Sequence, residues 1–483
     1  PGSLHCAVPP IASTVVQRCS PVVSGCLSII DSQIVDSRSL SSNATAIVTN
    51  RSLFINNTYV QGFSNLAQFP SKTEPLPTKQ THVIKYAHQL QLPLKQQNQH
   101  SYQLSTPIFM DGKPTQSTTV AQFESAVEPP STLLSQHTWG LAEHFPSFES
   151  AGAISVKAAP YNAVGDGFTD DTQALQAALA AHDVVVLPRG LYRISESLIV
   201  RPGAALIGIA HHLCAIAPTD AAANKTFPLI VTAPGSPNVT VTAPGDLGTV
   251  VAYVSTVSWM HTANVTGFEW SATNPRSIYR QNAQWLFDMC TSSWQPGGLK
   301  KLCPDAQIHN SPTIRVYGAG LYDNTLFACC TAKRVLMYEF LFCLGMFFTQ
   351  HHEDSRHMGP NYRHVLIEAN SGPVRYYHLN AEHALSDANI ELNEANDVKI
   401  YGLKSEGRMC VLWMRHSKNV FLSGYGGNAC ALSTNDSYPS GFAQYPPSLW
   451  RIQNSSSYTL AQTLGYEATN TLAMEETRSY GDV

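Results

Sequence analysis

The sequence predicts an all-β chain wound as a parallel solenoid, and two internal repeats and the composition carry that expectation. Ile29, Ile30, Asp31, Ser32, Gln33, Ile34 and Val35 align with Phe54, Ile55, Asn56, Asn57, Thr58, Tyr59 and Val60 at an offset of 25. Near the other end, Asn396, Asp397, Val398, Lys399, Ile400, Tyr401 and Gly402 resemble Lys418, Asn419, Val420, Phe421, Leu422, Ser423 and Gly424 at an offset of 22. Short runs of β-branched and aromatic residues broken by Asp, Asn and Ser turns are what each coil of a parallel solenoid needs, with its apolar residues stacked inward. Only 13% of the residues are Asp, Glu, Lys or Arg, against roughly 25% in an average soluble domain. Neutral polar side chains can ladder along the turns of a stack without like-charge repulsion. An antiparallel sandwich is the competing architecture.

Length and charge narrow the function classes. At 483 residues the chain is either two domains or one long repetitive one. A net charge of -4 gives no electrostatic reason for nucleic acid or an anionic membrane as a partner. The longest apolar stretch, Val335 to Phe348, is broken by Glu339 and Gly345 and is too short for a spanning helix.

The eleven cysteines are too scattered for a zinc ribbon. Cys290 with Cys303, and a pair among Cys6, Cys19 and Cys26, are the expected disulfides. Sequons begin at Asn43, Asn50, Asn56, Asn224, Asn238, Asn264, Asn435 and Asn454, so the expectation is a secreted, extracellular glycoprotein.

In chain order, residues 1–64 read as rungs of a first solenoid, already strand-like by Cys26 with no opening helix or polar cap. Residues 65–150, with Pro70, Pro75, Pro77, the Gln96 to Gln99 run and Pro129–Pro130, read as a connection with a few extended pieces. Residues 151–483 read as a second solenoid. Its opening is GDGFTDDTQALQAAL, Gly165 to Leu179. The glycines allow a tight turn, Thr169 to Thr172 offer N-cap oxygens, and Leu175 and Leu179 give a short amphipathic helix. Such a helix can serve as the lid that an exposed solenoid end requires. Val184 to Leu187 follow as a buried strand, Pro188 to Gly190 as a turn, and Tyr192 to Ile194 as the next strand.

The string GDGFTDDTQALQAAL, with VVVLPRGLYRI and GAALIGI after it, resembles the opening of pectate-lyase-like right-handed parallel β-helix domains. More finely, a rung-bearing segment, a linker and a fresh GDGxTDDT opening resemble the end of the first and the whole second β-helix of glycoside hydrolase family 55, the tandem β-helix exo-β-1,3-glucanases. The stretch Gly372 to Gly407 is similar to the part of that family that carries its acidic residues. There a Ser-Glu-His segment precedes a Gln-Thr-Glu segment by about one coil; here Ala381-Glu382-His383 and Lys404-Ser405-Glu406 occupy those places.

The resemblance implies an inverting hydrolase without cofactor or metal, acting on a polysaccharide. Glu406 is the expected general acid and Glu382 the residue that positions or deprotonates water. His383, Tyr376, Tyr377 and Trp413 are candidate sugar contacts, joined by Arg375, which replaces an aromatic usual after Gly-Pro-Val. Alternation places Lys404 on the same side as Glu406, where its charge would favour the carboxylate over the acid. Asp387, Glu391 and Glu394 read as turn residues.

The resemblance also implies a precursor with an upstream part of the first solenoid. A stack that starts without a cap leaves an open edge, so that part or a neighbouring subunit is expected to pack on the residues from Cys6 to Ile30. The run His351 to His357 has metal-ligand residue types in a loop setting, and Cys329–Cys330 read as thiols or separate bridges. A catalytically silent structural or adhesive glycoprotein is the second functional reading. A polysaccharide lyase is the third, since Arg315, Arg334 and Arg356 lack clustered Asp partners.

Overall fold

In a β-strand, side chains alternate between two faces, so the pairing register of a parallel stack decides which residues are buried. The structure, a computed structural model, describes residues 4–5, 15–17, 27–36, 43–49, 53–88, 109–110, 113–114, 119–133, 137, 145–209, 213–222, 225–235, 248–256, 265–274, 277–281, 314–316, 320–324, 363–370, 372–381, 387–405, 410–427, 448–465 and 472–477.

The N-terminal strands are β1 (Leu4–His5), β2 (Val15–Gln17), β3 (Leu27–Val35), β4 (Thr45–Thr49), β5 (Leu53–Gln61) and β6 (Asn65–Phe69). They continue with β7 (Lys72–Pro75), β8 (Gln80–His88), β9 (Phe109–Met110), β10 (Lys113–Pro114) and β11 (Thr119–Ser125). One sheet runs β1-β3-β5-β8-β11 and a second runs β2-β4-β6-β7. The first three strands of each are parallel, and β7, β8 and β11 then close the two sheets antiparallel. Much of the stretch read as a connection is therefore sheet. The core between the two sheets holds Ile29, Ile47, Ile55, Phe63 and Leu66.

Register corrects the N-terminal alignment by one residue. Ile29 pairs with Ile55 and Ser32 with Thr58, an offset of 26, whereas an offset of 25 would set the inward Ile29 against Phe54, which faces out of this core. The left-handed position in the second strand is Asn57 (φ 47°), stacked on Asp31 (φ 48°), and the Asn57 amide donates to the Asp31 carboxylate at 2.6 Å.

The second solenoid begins with β12 (Ile154–Ser155), β13 (Asp166–Asp170), α1 (Thr172–Ala181), β14 (Val184–Leu187), β15 (Gly190–Ile194) and β16 (Leu198–Val200). Next come β17 (Ala205–Gly208), β18 (Cys214–Pro218), β19 (Phe227–Thr232), β20 (Val250–Ala252), β21 (Ser255–Thr256), β22 (Val265–Trp270) and β23 (Ile278–Gln281). They are followed by β24 (Ile314–Val316), β25 (Gly320–Asn324), β26 (Val365–Glu368), β27 (Val374–Asn380), β28 (Ala388–Asn393) and β29 (Asn396–Lys404). The last are β30 (Cys410–Arg415), β31 (Lys418–Gly427), β32 (Ser448–Gln453), β33 (Ser456–Gly465) and β34 (Leu472–Thr477).

Early coils contribute one strand to each of three sheets, and from β23 onward the coils alternate between two. Every coil-to-coil pairing from β12 to β34 is parallel, and the result is a right-handed parallel β-helix. The long sheet ends differently: β9 pairs antiparallel with β33, and β10 with β9.

The expected helix is α1, with Leu175, Ala178 and Leu179 buried against the first coil of the core. The oxygens that hold its entrance are aspartates rather than threonines. Asp171 accepts from the N–H groups of Val164 (2.6 Å) and Gly165 (2.9 Å), and Asp170 accepts from the Thr172 N–H at 3.0 Å. Gly165 sits at φ 63°, and a Cβ there would lie 2.8 Å from the Tyr192 ring, so both backbone and space demand glycine.

The 22-residue repeat is reproduced residue for residue, with Val398 on Val420 and Ile400 on Leu422. Its corners are built alike. Glu394, His416 and Asn454 take φ of 53°, 48° and 47°, and each precedes a small buried residue, Ala395, Ser417 or Ser455. The Ser417 hydroxyl accepts from the Ala395 N–H at 3.0 Å, and the Ser455 hydroxyl from the Ser417 N–H at 3.1 Å.

The two solenoids pack outer face to outer face. Ile30, Phe54 and Ala87 meet Tyr377, Tyr401 and Ala461, and the hydroxyls of Ser28 and Ser423 lie 3.0 Å apart.

Because the corner needs a left-handed residue, replacing exposed His416 by a β-branched one should cost stability. His416→Val is expected to lower the unfolding free energy by about 1–2 kcal/mol and His416→Gly not to lower it. Urea denaturation of the two variants reads the difference, and a Val variant as stable as the parent would contradict the corner.

Candidate functional site

Parity on β27 sorts the sequence-predicted sugar contacts. Val374 and Tyr376 point into the coil, and Tyr376 is 3% exposed within the core. Arg375 and Tyr377 point outward, but neither lies on an open surface. Arg375 donates to the carbonyls of Val374 (3.0 Å) and Asp397 (2.8 Å) and pairs with the Asp397 carboxylate at 2.9 Å. Tyr377 is 7% exposed, stacked on Tyr401 with centroids 5.1 Å apart, beneath the N-terminal unit. Of the three residues expected to contact sugar, the structure places Tyr376 in the core and Arg375 and Tyr377 in the packing of coils and units.

The Tyr377 hydroxyl belongs to a buried network joining three parts of the chain. It lies 2.8 Å from His137 Nδ1, and His137 Nε2 lies 3.1 Å from Asp31 Oδ2. An ionised carboxylate only accepts, so Nε2 carries the proton and the tyrosine hydroxyl can donate to Nδ1. Asp31 also accepts from Asn57 and from the Tyr401 hydroxyl at 3.4 Å. Burial alone would raise the Asp31 carboxyl; hydrogen bonds from His137 and Asn57 and the charge of Lys399 outweigh it and hold it below its ordinary value.

Trp413 stands on the outer face of β30, half-buried, between inward Leu412 and Met414. Three guanidiniums surround its ring, Arg415 at 4.8 Å and Arg363 and Arg451 at 5.3 Å from the centroid. Its indole N–H donates to Gln453 Oε1 at 3.1 Å. Glu391 lies on the neighbouring coil directly opposite Trp413. It is buried, pairs with Arg363 at 2.8 Å and also takes a hydrogen bond from Arg415. Glu391 lies mid-strand rather than in the turn expected from the sequence, and its apolar neighbours Ile390 and Leu392 are the signal for an outward strand position. Arg363 and Arg451 had no signal in the sequence, because they reach the cluster only through the coil register.

Glu382, His383 and Glu406 lie outside the described residues, as do Cys290, Cys303, Cys329, Cys330 and the run His351 to His357. Residues flanking the two acids are described. Asn380 pairs with Lys404, the Ser405 hydroxyl donates to the Ala381 carbonyl at 2.6 Å, and the Asn389 amide donates to Ser405 at 2.8 Å. Ala381 and Ser405 are both buried. The ladder offset at this point, 380 on 404, equals the spacing from Glu382 to Glu406.

Asn43 is exposed, and Asn56 and Asn454 are partly so; the other five sequon asparagines lie outside the described residues. Cys214 and Cys410 are buried and unbridged, and burial pushes the Cys410 thiol up to about 11. Among the described residues no three His, Cys, Asp or Glu side chains come together as a metal site, and no helix is long and apolar enough to cross a membrane.

Comparison with known proteins adds one local match. Residues 154–242 match the family model "Rhamnogalacturonase A/epimerase, pectate lyase-like", over the segment holding the GDGFTDDT opening. The finer likeness to glycoside hydrolase family 55 rests on the sequence motifs alone. No curated protein matches the sequence.

Among solved structures, ORF18 of Geobacillus virus E2 aligns at 9% identity and a TM-score of 0.33, covering 80% of this chain and 68% of that one. The Dettilon tailspike protein aligns at 12% identity and a TM-score of 0.30, covering 68% and 62%. The A-module of the Azotobacter vinelandii mannuronan C-5 epimerase AlgE4 aligns at 12% identity and a TM-score of 0.24, covering 67% and 97%. Likenesses this distant carry no argument about activity, and the fold stands on the ladders described above.

The Asp31 network gives a pH dependence with a definite sign. A carboxyl held below its unfolded value contributes stability that is complete above the unfolded pKa of about 3.9 and is lost as pH falls through the folded value. Asp31→Asn should therefore be less stable than the parent at pH 7, with the gap narrowing below about pH 4. Urea midpoints at pH 7, 5 and 3 test this, and a gap independent of pH would count against an ionised Asp31.

Proposed function

We propose that this chain is a secreted, polysaccharide-active β-helix protein, an inverting glycoside hydrolase of β-1,3-glucanase type. The observation that supports it best is the register flanking the two acids, with Asn380 on Lys404 and Ser405 bonded to the Ala381 carbonyl. Adjacent coils lie about 4.8 Å apart, and diverging side chains from adjacent coils can span the roughly 6.5–9.5 Å that inversion uses. In this reading Glu406 gives its proton to the leaving glycosidic oxygen as the C–O bond breaks. Glu382 takes a proton from the water that attacks the opposite face of the anomeric carbon. His383 holds sugar hydroxyls or tunes Glu382. The match at residues 154–242 and the exposed sequon at Asn43 agree with an extracellular glycan as the setting.

A specific observation favours a second reading, a catalytically silent structural or adhesive extracellular glycoprotein. Arg375 and Tyr377 are used in packing, and Trp413 is crowded by guanidiniums, so the described aromatic residues form no open sugar platform. A partner belongs to either reading. Among the described residues, β1 and β2 are the terminal parallel strands of their sheets, and a strand edge of that kind invites a further coil. The upstream part of a precursor or a neighbouring subunit would supply it.

Reducing-sugar release from a panel of β-glucans and other polysaccharides tests the hydrolase. The wild-type chain should release sugar, and Glu406→Gln should be slower by at least about a hundredfold. Absence of release from every glycan would sink the hydrolase and leave the scaffold. Native mass spectrometry tests the partner, and a chain that stays a lone, stable monomer at micromolar concentration would contradict it.

A further inference from the structure

The outer face of the sheet that holds β26, β28, β30 and β32 carries two adjacent rows of side chains in register. One row is Leu366, Glu391, Trp413 and Arg451, and the next is Glu368, Asn393, Arg415 and Gln453. Glu391 and Arg451 are buried, whereas every member of the second row is partly exposed. A carboxylate, an amide, a guanidinium and a second amide thus follow one another along the solenoid axis, one per coil, about 4.8 Å apart. Planar polar groups at regular spacing beside an indole suit the hydroxyls and ring substituents of a sugar chain.

Arg415 is the fixed point of this strip. One of its amino groups is bound to Glu391, its guanidinium carbon lies 4.8 Å from the Trp413 centroid, and its side chain is still 36% exposed. Its other amino group has no hydrogen-bond partner among the described residues. Arg363 ties Glu391 from the far side at 2.8 Å, so the guanidinium is held before any ligand arrives, which lowers the ordering cost of binding. Gln453 accepts from the Trp413 indole through Oε1, which orients its amide NH2 away as a donor. Three guanidiniums lie within 5.3 Å of one indole centroid, and Glu391 is the carboxylate tied into that cluster. Glu368, two coils from Arg415, marks the acidic end of the strip. In chain order Glu382 and Glu406 precede β28 and β30, two of the strands that carry the strip.

We infer that this face is a glycan-binding strip for a polysaccharide bearing carboxylate groups, laid along the solenoid axis with an acidic sugar at Arg415 and its neighbours on Asn393 and Gln453. This names a ligand class for the strip, beside the β-glucan expected at the two acids, and rests on the polysaccharide-active reading for its biological context.

The test uses the full chain carrying Glu406→Gln, so that no turnover intervenes, with β-1,3-glucan and carboxymethylated β-1,3-glucan as probes and affinity electrophoresis or calorimetry as the readout. The carboxymethylated glucan should bind more tightly, and its affinity should fall as NaCl rises from about 0.05 to 0.5 M. Adding Arg415→Gln should weaken it by roughly tenfold or more, whereas Arg415→Lys should retain part of the binding and Gln453→Ala should weaken it without touching the Glu391 ion pairs. Equal binding of the two glucans, equal binding of poly-glutamate, or unchanged affinity in both the Arg415→Gln and Gln453→Ala chains would overturn the strip. Carboxymethyl-glucan binding with no sugar release by the wild type would sink the hydrolase and keep the strip; release without such binding would do the reverse.

Discussion

Everything in this molecule depends on parity in a parallel ladder. Once Val398 is set on Val420 and Ile400 on Leu422, each alternate residue is committed to the inside of the coil or to its surface. A slip of one would exchange the two sets along the whole strand. Left-handed corners enforce the setting. At Glu394, His416 and Asn454 the backbone turns through a left-handed residue, and after the first two the next N–H, of Ala395 or Ser417, donates to a serine hydroxyl on the following coil. Backbone pairing supplies the stack, and corners of this kind keep it from sliding.

Parity also explains why chemical type alone misassigns side chains on this surface. Tyr376 and Tyr377 are adjacent and chemically alike, yet one fills the core while the other faces the second solenoid. Outward residues then divide again by what covers them. Those on β27 and β29 lie under the N-terminal unit and are drawn into the Asp31–His137–Tyr377 network. Those on β28 and β30 look away from it and gather as arginines around Trp413.

The pairing of β29 with β31 was legible in the sequence because both strands open on the same kind of corner and one short coil separates them, so the offset of 22 was already the register. The opening helix was legible because Leu175 and Leu179 sit one turn apart behind a glycine turn. In the N-terminal repeat, Asn56 and Asn57 offered two equally good matches to Asp31, and only the backbone's need for a left-handed residue at position 57 chooses between them. The site was legible as a pair of acids one coil apart, carried by a family resemblance. Its surroundings were not, since Arg363, Glu391 and Arg451 come from separate coils and meet only when the ladder is assembled. Nor could the sequence show that a distant histidine, His137, would claim the Tyr377 hydroxyl.

The short strand β9 gives the long sheet a stop that differs in kind from its coils. It comes from the segment between the solenoids and pairs antiparallel with β33, near the far end of the stack. Residues 109–110 are synthesised well before their partners at 459–460, so this contact can form only after the intervening coils exist. Closing so large a loop is slow. The pairing therefore follows the folding of the intervening coils, and the free edge it covers stays open to neighbouring chains until β9 docks on β33. The seal on this edge thus comes from a strand made long before the coil it closes.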